Sequence, residues 1–382
     1  MSDLILRFPG QIVFGTDVVN RIGQVVSALG TRCFIVTESV LRQNGTIEQI
    51  EEILERRSVD AIVFDEIGPG ATTAGLTELV SMAGASKARV VVGVGGMRVL
   101  SAARVISVAL APNLEVGDVL SGRAKPSTAT HYVEVPSSYR NHFMLRNECV
   151  MTDGSTRQPM LIQLPEKTTD AVLVDPNLTL SMSPKYAAAA MMDTLLAAVE
   201  GLISTRSSFY SDTVLLRAIE MLGTALRGIS EAPTDPRHRI QASEAGLLAS
   251  MGLAASSQGV GGALAYTINS RYTIPKSWVA TVLLPHIIDS SVHARPEKLR
   301  RVAVALGEEV EDLKPGDAAY HASEAVRTII GRIELPGRLR EMDLAIEDLV
   351  DVSETASALE MSASAPAAHT ASDLYDLIKQ AF

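Results

Sequence analysis

Strand-like and helix-like periods alternate through the first hundred residues of this 382-residue chain, and few architectures accept that order. Gln11-Ile-Val-Phe-Gly15 reads as a strand ending in a turn, and Val18 to Leu29 carries apolar residues at helical spacing. Thr31 to Thr37 is a continuous apolar run of the kind found in buried parallel strands, and Ile47 to Arg57 is helix-prone and acidic. Ala61 to Phe64 is a further strand and Thr73 to Ala85 a further helix. Arg89 to Val94 is a strand that runs directly into Gly95-Gly96. The alternation predicts an α/β N-terminal domain with a parallel sheet, helices on both faces and dinucleotide-binding-like topology, with ligands bound beyond the carboxyl ends of the strands.

Residues 121 to 174 differ: short extended runs are punctuated by Pro126, Pro136, Pro159 and Pro165. From Pro184 onward the chain reads as helices separated at Pro233, Pro236, Gly259, Pro275, Pro285, Gly307 and Pro336. The small-residue stretch Ser362 to Ala371 reads as a loop before a closing helix, Asp373 to Phe382. The expected division is an α/β domain over 1–180 and an all-α C-terminal domain over 181–382, since the chain is too long for one typical core.

The totals exclude several classes. A net charge of -10 argues against a nucleic-acid surface. The longest apolar runs are shorter than the roughly 20 residues a bilayer span requires, and the start shows no basic segment followed by a long apolar run, so neither membrane nor secretory signal is expected. Two cysteines, Cys33 and Cys149, build no disulfide framework, and a cytoplasmic protein is the default. Cys33 lies in an apolar strand and reads as a buried thiol.

Met191-Met-Asp-Thr-Leu-Leu-Ala-Ala-Val-Glu200, the Gly259-to-Tyr266 run and Pro275-Lys-Ser277 together resemble the metal-binding half of the iron-containing (group III) alcohol dehydrogenases, of dehydroquinate synthase-like fold. The resemblance covers essentially the full chain. It implies an NAD(P)-dependent oxidoreductase acting on a small alcohol or aldehyde. In that family an aspartate and three histidines hold one divalent cation. Asp193 stands at the aspartate position, but Ala197, Gly262 and Lys276 stand at the three histidine positions, and Tyr266 where a further histidine is often kept. Methyl, hydrogen and ammonium offer no lone pair in place of imidazole, so no metal is expected.

The same resemblance aligns the family's cofactor loop with Val94-Gly-Gly-Met-Arg-Val-Leu-Ser-Ala-Ala-Arg104. Gly95 and Gly96 suit a backbone that approaches a pyrophosphate at a helix N-terminus, and Arg98 suits a phosphate. The alternative is a plain strand–helix turn. A second cofactor motif falls on residues 136–144, where the Ser137 and Ser138 hydroxyls persist and Tyr139, Arg140, His142 and Phe143 replace small residues. Those side chains are expected in the space a dinucleotide needs. Glu38, after the second strand, stands where relatives place an acid on the adenosine ribose, which favours NAD over NADP. The alternative is a helix N-terminal acid stabilised by the dipole.

Lys276 and Asp193 are expected to meet in the fold. Their pair is either a plug that keeps an abandoned cavity folded or a group that polarises a substrate carbonyl. A desolvated lysine is also a base or Schiff-base former. His142, with Arg140, Arg146 and Tyr139, is expected to face an anionic or carbonyl-bearing small substrate, and Tyr266 reads either as a packed side chain or as one that offers a hydroxyl. The seven histidines show no metal-ligand spacing. Two rivals stay open: a non-redox lyase or decarboxylase using Lys276 and Asp193, and a non-catalytic binding protein. A homodimer is the expected assembly.

Overall fold

The computed structural model describes residues 4, 6, 8–68, 72–125 and 130–382, and Pro126 lies outside the described residues. Arg7–Ser181 and Met182–Phe382 form two compact units. The strands are β1 (Gln11–Phe14), β2 (Arg32–Val36), β3 (Asp60–Phe64), β4 (Val90–Gly95), β5 (His131–Pro136), β6 (Glu148–Thr152), β7 (Pro159–Gln163) and β8 (Ala171–Val174). Six of them form one sheet in the order β1-β8-β5-β4-β2-β3, and every neighbouring pair is parallel. The interrupted stretch after residue 121 supplies a separate antiparallel pair, β6 with β7.

The helices of this unit are α1 (Ile22–Leu29), α2 (Ser39–Gln43), α3 (Thr46–Glu55), α4 (Leu76–Ala85), α5 (Met97–Ala109) and α6 (Val116–Leu120). Because strand side chains alternate in direction, Cys33 and Ile35 of β2 pack with Ile22, Val26, Ile47 and Ile50 from α1 and α3. Phe34 and Val36 pack with Val105 and Ile106 of α5. Two apolar layers thus sandwich the sheet, each fully buried aliphatic side chain contributing about 1.5–3 kcal/mol. Cys33 and Cys149 belong to these layers, and burial pushes both thiols up to about 12.

Some boundaries differ from the sequence expectation for local reasons. The helix expected from Thr73 starts at Leu76, because Gly75 has φ 85° and cannot continue a right-handed helix. The run from Val18 opens as a 3-10 turn, Val18–Arg21, before α1 begins. The second unit holds α7 (Pro184–Ile203), α8 (Phe209–Glu231), α9 (Pro236–Ala254), α10 (Val260–Tyr272), α11 (Lys276–Ser291), α12 (Pro296–Ala305), α13 (Pro315–Arg332), α14 (Leu349–Ala358) and α15 (Ala371–Gln380). Pro285 is no break, contrary to expectation: α11 runs through it. Proline there removes one N–H to the Thr281 carbonyl, and packing against α7, α10 and α13 outweighs that loss. The closing helix starts two residues early, where the Thr370 hydroxyl accepts from the Asp373 N–H and the Asp373 carboxylate accepts from the Thr370 N–H.

Helix α7 is the centre of this unit. Pro184 opens it and the Ser183 hydroxyl accepts the Tyr186 N–H at 3.3 Å. By length and composition it is apolar enough to cross a membrane, but 94% of that window is buried inside the protein, as a core helix is.

Candidate functional site

The sheet reverses its winding between β2 and β4: β2 is followed by β3 on one side, while β4 leads through α5 to β5 on the other. A crevice at the carboxyl ends of such neighbouring strands is where doubly wound sheets bind nucleotides. Three features of the chain converge there. Gly95 ends β4 with φ +155°, where a Cβ would lie 2.9 Å from the Val99 Cβ. Gly96 then caps α5. Glu38, the residue before α2, reaches across and accepts the Gly96 N–H at 3.3 Å. Burial pushes the Glu38 carboxyl above the usual carboxylate range, opposed by the Gly96 N–H and the Arg140 charge. The Thr37 hydroxyl ties the two strands, donating to the Val94 carbonyl at 2.8 Å. Arg98 is half-buried in the first turn of α5.

The Ser137 N–H donates to the Gly95 carbonyl at 3.0 Å, which carries the chain from β5 past the same turn, and Ser138 accepts the Arg140 N–H at 3.3 Å. Both serines thus follow β5 beside the glycine turn. The larger residues after them are packed into the unit. Tyr139 and His142 are 1% exposed and Phe143 is buried with them.

What holds this segment was missed in the sequence. Arg104 of α5, itself 2% exposed, pairs with Glu134 of β5 at 2.6 Å and donates to the Phe143 and Met144 carbonyls, each at 2.8 Å. Glu134 faces α5 because it shares strand parity with Tyr132, whose ring packs in the α5 layer. Burial pushes the Glu134 carboxyl up, and the Arg104 guanidinium opposes it. A charged residue inside a strand was the available signal, but its partner is 30 residues away.

In the helical unit, Asp193 and Lys276 meet. Asp193 is 0% and Lys276 2% exposed, and the lysine ammonium donates to Asp193 Oδ1. The same nitrogen lies 4.4 Å from the centroid of the Tyr266 ring, so an aromatic face and a carboxylate share the cation. The Tyr266 ring thus packs against the cation. Asp193, Ala197 and Glu200 lie at i, i+4 and i+7 along one face of α7, and Gly262 and Tyr266 one turn apart on α10.

Glu200 has a structural task. Its carboxylate accepts the Gly261 and Gly262 N–H groups at 2.6 and 2.9 Å, which satisfies the open start of α10. Burial pushes its carboxyl up, opposed by the Gly259, Gly262 and Gly261 N–H groups and by the Lys276 charge. Trp278, next along α11, is half-buried with the Lys185 ammonium 5.5 Å above its ring. His142 belongs to the α/β unit. His286 is half-buried on α11.

A divalent cation needs several lone-pair donors. Around Lys276 the chain offers Asp193, which already holds the ammonium, and Glu200, which already accepts the Gly261 and Gly262 N–H groups, and no group of three or more His, Cys, Asp or Glu able to bind a metal occurs among the described residues. These residues do not fit a resident metal. The glycine turn, with its positive-φ Gly95 leading into the start of α5, is of the kind that fits a dinucleotide pyrophosphate, and here the Gly96 N–H is held by Glu38.

A doubly wound parallel sheet with a glycine turn at its switch point, followed by an all-helical unit, defines a nucleotide-binding dehydrogenase-like architecture. Family models match both parts: iron-containing alcohol dehydrogenase over residues 9–176, and the Fe-containing alcohol dehydrogenase family, C-terminal, over residues 187–382. The chain belongs to the iron-containing alcohol dehydrogenase family. It is 24% identical over 377 residues to 1,3-propanediol dehydrogenase of Citrobacter freundii, covering 98% of this chain and 97% of that one. It is likewise 24% identical over 375 residues to lactaldehyde reductase of Escherichia coli K12, covering 97% of each. Among solved structures, 1,3-propanediol oxidoreductase superposes with TM-score 0.94 at 22% identity over 100% of both chains. Sulfoacetaldehyde reductase of Bifidobacterium kashiwanohense in complex with NAD+ gives 0.87 at 17%, over 100% of this chain and 99% of that one.

Proposed function

We propose that this protein is a metal-independent, NAD(P)-dependent oxidoreductase of a small alcohol or carbonyl compound, with the Lys276 ammonium as its electrophile. The observation that carries the reading is the buried Lys276–Asp193 pair, at positions where the family pattern has a metal ligand and the shared aspartate. Support for the cofactor comes from the retained glycine turn with Glu38 beside it. A 2′-phosphate would meet the Glu38 carboxylate, so NAD is the favoured form.

When bound, the nicotinamide supplies or accepts the hydride. The chain's own residues do the rest. Asp193 orients the ammonium and Tyr266 covers it, and one of the three ammonium N–H groups is assigned to the substrate oxygen. In the reducing direction that N–H polarises the carbonyl and passes its proton to the oxygen as hydride reaches the carbon. The products are an alcohol, an oxidised nicotinamide and a neutral amine that recovers its proton from solvent. Lysine suits this task better than arginine, which does not release its proton in the ordinary pH range.

The near-complete burial of both partners also favours a second reading, in which the pair is a structural plug. The test is NADH oxidation by chelator-treated protein on small aldehydes and ketones, together with metal analysis. The proposal expects turnover without stoichiometric iron or zinc, loss of turnover in Lys276→Met, and little rescue by Lys276→Arg. Unchanged turnover in Lys276→Met, or activity restored only by added metal, overturns it.

A further inference from the structure

A cavity of about 290 Å3 opens in the α/β unit, lined in part by Phe8, Leu145, Leu164, Arg104 and Thr169. It lies at the other end of the sheet from the glycine turn. Phe8 and Thr169 come shortly before β1 and β8, which pair in parallel with Gln11 opposite Ala171, so both approach the sheet at the amino ends of its strands, whereas Gly95 closes the carboxyl end of β4. Arg104 reaches the same place because α5 runs back from Gly96, and Arg104 stands about two turns along it. The floor is apolar: Leu145 and Leu164 are buried and Phe8 is half-buried. A dry cavity of roughly 150 Å3 with such a lining takes up benzene, and this one has room for a ring with a short substituent.

The polar groups of the wall decide what sort of molecule fits. Arg104 offers nothing to an anion, because its N–H groups go to Glu134 and to the Phe143, Met144 and Glu148 carbonyls. Arg146, also in the wall, is paired with Glu148. Glu166 and Lys167 line the cavity too, but both are exposed and they carry one charge of each sign. A charged ligand would leave water for a wall whose charges are already balanced, and burying an unpaired charge is costly. Thr169 differs. It is 9% exposed, it lines the cavity, and its hydroxyl has no partner among the described residues. We infer that this cavity is a second ligand site, for a small neutral molecule with an apolar ring or chain and one hydroxyl or carbonyl group, which the Thr169 hydroxyl meets. That hydroxyl both donates and accepts, so it serves either group. The site shares no residue with the glycine turn or with the Lys276–Asp193 pair, and the inference does not use the nicotinamide reading.

The test is titration of the full chain with phenol, toluene and benzoate, followed by saturation-transfer NMR. Phenol is uncharged near neutral pH and has no hydride to give, so turnover does not consume it. Wild type is expected to bind phenol about ten-fold more tightly than benzoate. Thr169→Val, which exchanges a hydroxyl for a methyl, is expected to weaken phenol binding about five-fold and to leave toluene unchanged. Leu164→Trp fills the cavity and should abolish phenol binding, while titration with NADH gives the wild-type result. Benzoate binding as tight as that of phenol, or phenol binding that Thr169→Val leaves unaltered, overturns the inference. So does displacement of phenol by NADH, which would put the ring in the crevice at the carboxyl ends of the strands. Should Leu164→Trp fail to fold, the Thr169→Val comparison decides by itself.

Discussion

The glycine turn at the end of β4 and the Asp193–Lys276 pocket of the helical unit differ in what they are made of. The turn is built from backbone: a positive φ at Gly95, the Gly96 N–H and the start of α5. Replacing the residues after it with Met97 and Arg98 leaves those groups in place. The pocket is built from side chains. By the resemblance, Ala197, Gly262 and Lys276 stand at three ligand positions, and in the structure Asp193 takes an ammonium as partner. A site made of peptide groups tolerates substitution, whereas one made of imidazoles changes its chemistry with each replacement.

Five variants break or sharpen that contrast. The largest effect is expected for Lys276→Ala, which strands a fully buried carboxylate and costs about 3–5 kcal/mol. The double change Lys276→Met with Asp193→Leu should recover most of that stability in chemical denaturation while leaving no activity. Recovery of activity as well would mean the pair is only a plug. Next is Gly95→Ala, which places a Cβ 2.9 Å from the Val99 Cβ at a φ that L-residues avoid. It should cost about 1–3 kcal/mol and weaken nicotinamide binding, read by denaturation and by dinucleotide titration. An unchanged variant would show that the turn is not backbone-limited.

Glu38→Ser is expected to leave folding nearly intact and to shift the NAD-to-NADP preference on the order of ten-fold, about 1.4 kcal/mol of charge interaction. Identical affinity ratios in both proteins would assign Glu38 to the helix start alone.

The smallest effect concerns His286, which burial, followed by the Arg327 charge, holds below its ordinary 6.5. Its folded form prefers the neutral ring. That stabilising contribution is present above pH 6.5 and is lost as pH falls through the lowered value, because the unfolded chain takes up the proton first. Substituting His286→Gln should flatten the stability–pH slope below 6.5, and an unaltered slope would exclude it as a source of acid sensitivity.

Much of the fold was legible because it rests on local periodicity. The β2 and β4 runs are apolar at consecutive positions, the mark of strands covered on both faces, and the turns between them carry their own glycines. The reading failed where a single position overrides periodicity. Gly75 delays α4, and Pro285 sits inside α11 because neighbouring helices bury it. Asp193 and Lys276 were legible as a pair only through the family pattern, being 83 residues apart. Glu134 with Arg104 was not legible. The meaning of each polar group comes from a partner that folding brings to it from a distant part of the chain.

The order of elements, the glycine turn and the substituted ligand positions follow from the sequence by itself, because backbone preference and side-chain chemistry are properties of single residues and near neighbours. Tertiary structure alone decided that Glu38 lies on the Gly96 N–H, that Glu200 caps α10 and that an aromatic face shares the Lys276 cation. Those are distances between residues far apart in the chain, and only packing sets them.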